Sequence, residues 1–87
     1  MVETSLLELD LKKILRRVEK LSGIRLPKVV LEATLEPELG ILYVRFGRPK
    51  VGELGEPVHP AIHIFRDSET GEIAAVEVLE PSKLLNE

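Results

Sequence analysis

The 87-residue chain contains no cysteine, no tryptophan and no glutamine, and Asn86 is its only asparagine. Without cysteine, disulfides, thiolate nucleophiles and cysteine-ligated zinc are excluded. Few thermolabile residues beside abundant Glu, Lys and Arg are typical of hyperthermophile proteins, so we expect a thermophilic source. The only aromatic residues are Tyr43, Phe46 and Phe65, which leaves few side chains for stacking on nucleic-acid bases.

Long apolar runs are missing as well. No segment approaches the ~18 consecutive apolar residues of a membrane-spanning helix. The acidic N-terminus, MVETSLLELD, lacks the basic region of a signal peptide. We therefore expect a cytoplasmic protein, and because a chain this short supports one small core, a single domain over residues 1–87.

The net charge of −3 conceals a strong segregation of charge along the chain. Residues 11–50 carry ten Lys or Arg against four Asp or Glu, whereas residues 51–87 carry two against eight. Residues 1–10 carry three acidic residues and no basic one. This asymmetry indicates either an anionic partner for the basic part or two oppositely charged regions that face each other, within one chain or between two chains.

Residues 5–22 have the periodicity of an amphipathic helix. Its apolar residues recur at steps of three and four and form one stripe. They are Leu7, Leu11, Ile14, Val18 and Leu21. Gly23 is placed to end the helix in a left-handed conformation.

Beyond the helix, four segments alternate apolar and polar residues as strands do. They are residues 28–35, 41–46, 58–67 and 72–79, and the stretch 47–57, rich in Gly and Pro, is predicted to be a loop. Because the connections are short and polar, the pattern predicts an antiparallel β-meander over residues 28–79. Its strand order is 1-2-3-4, with the first and last strands at the edges. The helix packs on one face, so the fold class is α+β, with a short C-terminal helical turn at SKLL.

The segment EPELGILYVRF, with GEIAAVEVLEPSKLL downstream, resembles a family of short prokaryotic domains of unknown function. That family's signature runs Asp-Pro-Glu-Ala-Asp-Ala-Leu-Tyr-Ile-Arg-Phe, followed by Gly-x-Ile-x-Gly-Ile-Glu-Ile-Leu-x-Ala-Ser. The matching residues are Pro37, Glu38, Leu42, Tyr43, Arg45, Phe46, Gly71, Ile73, Glu77, Leu79 and Ser82. The resemblance covers residues 28–85 and leaves out the helix.

Three positions depart from the family pattern. Glu36 replaces the first Asp, Gly40 replaces the second Asp, and Ala75 stands where a Gly is usual. The resemblance implies a small β-meander and no catalytic residue. Some members of the family look like neighbours of small toxin-like proteins, which implies a role in binding a protein partner.

Both histidines, His59 and His63, lie four residues apart in VHPAIHIF. Pro60 and the β-branched neighbours favour an extended chain. On one strand, residues i and i+4 lie about 13 Å apart, and two imidazoles that each bind zinc at ~2.1 Å cannot bridge that distance. The sequence therefore predicts no metal site and no cofactor, and it places His63 on the sheet face opposite Ile62 and Ile64.

Tyr43 and Arg45 alternate with the apolar Leu42 and Val44, so they point to the sheet face that the helix leaves open. Tyr and Arg are enriched at protein interfaces. The predicted interface consists of Ile41, Tyr43, Arg45 and His63, with His63 as a neighbour of Tyr43 and Arg45. We expect a homodimer through this face or through an edge strand, and a small protein as a possible further partner.

A nucleic-acid-binding function is the alternative. The helix carries five cations within nine residues, a density that can follow phosphates. They are Lys12, Lys13, Arg16, Arg17 and Lys20. The same charges also suit the negative end of the helix dipole. No helix-turn-helix pattern accompanies them.

No residue is predicted to be catalytic. None of the serines lies in a Gly-x-Ser-x-Gly motif. A pocket of ~300 Å³ is difficult to enclose in so short a chain, so we expect no enzymatic activity. The loop 47–57 carries Arg48 and Lys50 as candidate functional residues, but it lacks the Gly-Lys-Ser/Thr ending of a P-loop.

Overall fold

The computed structural model describes the backbone of residues 2–85 and the side chains of residues 11–81, 83 and 84. The elements in chain order are α1 (Val2–Ser22), β1 (Glu32–Glu36), β2 (Ile41–Arg45), β3 (Glu53–His59), β4 (Ile62–Asp67), β5 (Ile73–Leu79) and α2 (Pro81–Leu85). All neighbouring strands are antiparallel, and their order in the sheet is β1-β2-β5-β4-β3. The predicted α+β class, with an N-terminal helix and an antiparallel sheet, is confirmed.

The predicted four-stranded meander is wrong, because the stretch 47–57 is only partly a loop. A fifth strand, β3, begins at Glu53 within it. The predicted third strand, 58–67, is instead a hairpin that turns at Pro60 and Ala61 and joins the end of β3 to β4.

The strand β3 escapes sequence prediction because it contains two residues that disfavour strands, Gly55 and Pro57. Pro is tolerated there because β3 is an edge strand and has an unpaired side. Gly55 is opposite Phe65, and a Cβ atom at Gly55 would lie 3.2 Å from Cε1 of that ring. The absence of a side chain therefore lets the phenyl ring lie against the backbone of β3.

The strand order is that of a Greek key rather than a meander. Hairpins join β3, β4 and β5, and β2 lies beside β5 although the chain runs from β2 to β3. The order 1-2-3-4 and the placement of 72–79 at an edge are therefore wrong, since β5 lies between β2 and β4. The edges are β1, which is shorter than the predicted strand 28–35, and β3.

The core lies between the sheet and the two helices. In the sheet, two rows of fully buried side chains cross β2, β5 and β4. The rows are Leu42-Val78-Ile62 and Val44-Val76-Ile64. The helical layer contributes Ile14 and Val18 from α1 and Leu84 from α2, and Leu26 joins them from the following segment. Each such side chain contributes about 1.5–3 kcal/mol to the free energy of unfolding when it is fully removed from water.

The helix α1 ends where the sequence predicts, although it begins at Val2 rather than at residue 5. Gly23 has a φ of 73° and donates its N–H to the carbonyl oxygen of Glu19 at 2.8 Å, which confirms its predicted left-handed role. The Glu19 carboxylate then accepts the N–H of Leu26 at 2.7 Å. This bond holds the segment 24–28 against the last turns of the helix.

Candidate functional site

The sheet face opposite the two helices, called the second face below, carries all four residues of the predicted interface. The alternation of buried residues on β2 and β4 places Ile41, Tyr43, Arg45 and His63 there, each partly buried. His63 is not a direct neighbour of Tyr43 or Arg45, however. Glu77 of β5 pairs with Tyr43 on one side and with His63 on the other, because β5 separates β2 from β4.

Both terminal nitrogens of the Arg45 guanidinium are hydrogen-bonded within the chain. Its Nη1 donates to Oε1 of Glu53 at 2.6 Å and to the carbonyl oxygen of Gly47 at 2.6 Å, and its Nη2 donates to the hydroxyl of Tyr43. The Arg45 and Glu53 side chains are only 14% and 22% exposed. The hydrogen bond to Glu53 raises the pKa of the Arg45 guanidinium, against the opposing effect of desolvation. Arg45 therefore fastens the two ends of the crossover that runs from β2 to β3.

An aromatic pair covers the adjoining part of the second face. The Tyr43 and Phe65 rings lie with centroids 6.1 Å apart and tilted by 52°. Ala75 of β5 pairs with Arg45 on one side and Phe65 on the other, and it is fully buried. This half of the second face, called the closed half below, is therefore covered by the chain's own side chains.

The other half of the second face, called the open half below, lies toward the end of β5. Ile41 pairs with Leu79, a residue that is 36% exposed. His63 and Glu77 pair directly beside them. Nδ1 of His63 is buried and has no hydrogen-bond partner among the described residues, a condition that costs about 1–3 kcal/mol unless another molecule supplies the partner.

The two histidines do not share one strand, so the predicted separation of about 13 Å along a strand does not apply to them. His59 ends β3 and pairs with Ile62, whereas His63 lies on β4 and pairs with Pro57. Nδ1 of His59 accepts the N–H of Ala61 at 3.1 Å, so this nitrogen helps to form the hairpin turn. Among the side chains that the structure describes, no three His, Asp or Glu are grouped as metal ligands.

The cations of α1 lie on two different sides of the helix. Lys12, Lys13, Arg16 and Lys20 are exposed, but Arg17 is partly buried and its Nε has no hydrogen-bond partner within the described part of the chain. Of the exposed cations, Lys12 and Arg16 border a groove of about 610 Å³, called the basic groove below, whereas Lys13 and Lys20 do not line it. It is lined by Lys12, Leu15, Arg16, Glu19, Arg25, Leu26, Pro27 and Lys28.

Sequence reasoning missed Arg25 and Lys28 as members of this groove. They follow the helix, and no periodic pattern relates them to Lys12 and Arg16. The hydrogen bond from the N–H of Leu26 to the Glu19 carboxylate and the burial of the Leu26 side chain in the core hold their segment against the helix. The basic groove is therefore a tertiary feature with four cations along its walls.

The predicted loop residues lie in the part of 47–57 that remains without regular structure. Nη1 of Arg48 is 4.0 Å from Oε1 of Glu32, and both side chains are more than half exposed. Lys50 is also exposed, as is its apolar neighbour Val51. Neither cation borders the basic groove. The structure thus does not bring the loop cations and the helix cations into one site.

The described residues include no helix that is both long and apolar enough to cross a membrane. No family model, no curated protein and no solved structure matches the chain. The likeness of residues 28–85 to a family of short prokaryotic domains therefore stays a prediction of the sequence.

Proposed function

We propose that the protein is a non-enzymatic protein-interaction module that forms a homodimer through the open half of its second face. The observation that carries this proposal is the apolar pair of Ile41 and Leu79, which lies on the face opposite the helical layer. Partly exposed apolar side chains, beside a histidine whose buried Nδ1 has no partner among the described residues, favour burial against another protein surface.

The edge strands support a homodimer less well than this face does. In an antiparallel pairing of two β1 edges centred on Thr34, Glu32 of one copy lies opposite Glu36 of the other. Like charges directly opposite each other destabilise a strand pair. The edge strand β3 carries Glu53 and Glu56 together with a proline, which also opposes edge-to-edge pairing.

The mass of the protein in solution tests the homodimer. We expect sedimentation equilibrium to give twice the chain mass of 9.7 kDa. Leu79→Lys inserts a charge into the open half and is expected to shift the equilibrium to the monomer. Val51→Lys is the matched control, because Val51 is also apolar and exposed but lies in the crossover. A wild-type chain that stays at 9.7 kDa at the highest concentration reached contradicts the homodimer.

A nucleic-acid-binding function is the second candidate, and the basic groove favours it. Arg25 and Lys28 face the same groove as Lys12 and Arg16, so the cations surround a depression rather than a convex helix surface. Such a groove can follow a phosphate backbone, and each phosphate neutralised gives a slope of about −0.9 in log K against log salt on duplex DNA.

Fluorescence anisotropy with generic duplex and single-stranded oligonucleotides, at low and high salt, tests this candidate. Arg16→Gln with Arg25→Gln is expected to weaken binding and to reduce the salt slope by about two on duplex DNA. The control, Arg48→Gln with Lys50→Gln, removes the same charge outside the groove and is expected to leave the slope unchanged. Absence of salt-sensitive binding at micromolar protein concentration contradicts the nucleic-acid-binding function.

Three further proposals rest on the sequence. Its composition favours a thermophilic source, its resemblance favours a prokaryotic one, and the absence of a long apolar run favours a cytoplasmic location. A small protein as a second partner remains a proposal of the same kind, and a pull-down from native lysate is the experiment that identifies it.

A further inference from the structure

The strand β1 has an open edge surrounded by exposed apolar side chains. It pairs with β2 on one side and is the last strand of the sheet on the other. Among the described residues, seven large hydrophobic side chains are exposed, and four of these lie between residues 29 and 39. They are Val29, Leu31, Leu35 and Leu39. The concentration of apolar surface around one free edge distinguishes it from the edge at β3.

The backbone of β1 offers hydrogen-bonding groups on its free side. The N–H of Phe46 donates to the carbonyl oxygen of Ala74 on β5. Because backbone groups alternate in direction along a strand, the N–H and C=O of Tyr43 are directed toward β1. Thr34, which pairs with Tyr43, therefore uses its backbone groups within the sheet. The intervening residues Ala33 and Leu35 direct their N–H and C=O groups outward, where an added strand can bind them.

The two faces of β1 differ in chemistry. On the helix side, Leu35 lies next to Leu42 in the sheet, yet Leu35 is 40% exposed whereas Leu42 is fully buried. The helical layer thus leaves the end of this apolar row uncovered. On the second face, Glu32 and Glu36 point outward on either side of Thr34.

We propose that the free edge of β1 binds an extended segment of a partner protein as a sixth strand of the sheet, and that this segment alternates apolar and basic residues. The apolar residues extend the row that ends at Leu35, and the basic residues pair across the strand with Glu32 and Glu36. This inference rests on the proposed function as an interaction module. A second copy of the chain fits poorly, because both of its free edges are acidic.

A capped peptide, Val-Lys-Val-Thr-Val-Lys-Val, is the probe for this edge. We expect it to perturb the amide resonances of β1 in spectra of the isotope-labelled protein and to bind measurably in calorimetry. Glu32→Lys with Glu36→Lys is expected to weaken binding by roughly tenfold, since two favourable cross-strand pairs become repulsive.

The matched control variant is Glu69→Lys with Glu72→Lys, which makes the same change of net charge in the turn between β4 and β5. It is expected to leave binding unchanged. If this control weakens binding as much as the β1 variant does, the peptide binds by nonspecific electrostatic attraction to the protein, and the inference is wrong.

Two further probes test the backbone contacts. A peptide that is N-methylated at the residues facing β1 is expected to lose binding, because it cannot donate to the free edge. Ala33→Pro removes one outward N–H of β1 and is expected to weaken binding in the same way, since Pro is tolerated on edge strands. The methylated peptide tests wild-type protein, so the result stands even if the Ala33→Pro variant fails to fold. Equal binding of the methylated and unmethylated peptides overturns the inference.

Failure of this inference is separable from failure of the homodimer. A protein that sediments as a dimer and does not bind the unmethylated peptide contradicts the edge site alone. A monomer that binds the peptide at β1 contradicts the homodimer alone and supports the edge site.

Discussion

Replacing Arg45 with Met tests how the closed half of the second face is held together. Met keeps an unbranched apolar stem and removes the guanidinium. The change deletes the hydrogen bonds to Glu53, to the carbonyl of Gly47 and to the hydroxyl of Tyr43. We expect a large loss of stability, because it leaves a carboxylate that is only 22% exposed without its partner.

The magnitude follows from the burial of this ion pair. A hydrogen bond to a charged group contributes about 1.5–3 kcal/mol, and such contributions do not add fully when one side chain makes all of them. Breaking a fully buried pair costs about 3–5 kcal/mol, and residual exposure lowers this value. We therefore expect Arg45→Met to lower the free energy of unfolding by about 3 kcal/mol. With an unfolding entropy of about 2.1 cal/mol/K per residue, this corresponds to a fall in Tm of about 16 °C.

Differential scanning calorimetry measures this loss, and Arg66→Met is the matched control. Arg66 also pairs with a glutamate, Glu56, at 3.1 Å, but those side chains are 34% and 53% exposed. An exposed pair contributes about 0–1 kcal/mol. If Arg45→Met lowers the Tm no more than Arg66→Met does, the reasoning is refuted. The double variant Arg45→Met with Glu53→Gln is expected to lose less than the sum of the two single changes.

Three further predictions concern the same face. The hydrogen bond to Glu53 raises the pKa of Arg45, so its contribution is complete below the pKa in the unfolded chain and is lost only as pH rises through the higher folded value. The difference in Tm between wild type and Arg45→Met is therefore expected to stay constant between about pH 7 and about pH 10, and a loss within that range contradicts the assignment. In the Leu79→Lys background, which is expected to be monomeric, His63→Val removes a buried nitrogen that has no partner among the described residues and is expected to raise the free energy of unfolding by about 1 kcal/mol, as measured by urea denaturation; a marked decrease means that this nitrogen has a partner within the chain. Ala75→Leu places a larger side chain in a fully buried position and is expected to cost about 1–3 kcal/mol, whereas an unchanged urea midpoint shows that the aromatic pair does not cover Ala75.

Local patterns were sufficient to predict the parts of the fold that local chemistry decides. The helix shows its period in Ile14 and Val18, and Gly23 marks its end. The strand β2 shows a strict alternation of buried residues at Leu42 and Val44. The strand β5 shows a run of small and β-branched residues that leads to Val78. In each case the residues that form the element also signal it.

The strand order was not predictable in this way, because it depends on β3. Gly55 and Pro57 make this segment resemble a loop, and it becomes a strand only by pairing with β4 beneath the ring of Phe65. Without β3, the pattern predicts one continuous strand through the hairpin at Pro60. That continuous strand falls next to β2 in a meander, whereas the structure has β5 in this place.

The candidate site, like the fold, is only partly predictable from local patterns in the sequence. Alternation along one strand correctly placed Tyr43 and Arg45 on the second face, because the pleat alone decides the side. It did not give their neighbours. Glu53, the partner of Arg45, lies eight residues along the chain, beyond a crossover that no local pattern describes. Arg25 likewise lies beside the helix cations because of a tertiary contact, in which the Glu19 carboxylate accepts the N–H of Leu26.

The crossover decides which part of the second face is left for a partner. By carrying the chain from β2 to β3, it brings Glu53 back to Arg45 and closes that half of the sheet with the chain's own groups. The guanidinium of Arg45 therefore stabilises the fold, although its residue type and its place in the strand alternation predict an interface residue. Ile41 and His63 lie beyond the reach of the crossover, and His63 retains a nitrogen that its own described surroundings leave unpaired. Since unpaired polar groups are rarely kept in a buried position without a use, the open half is where we expect a second molecule to bind.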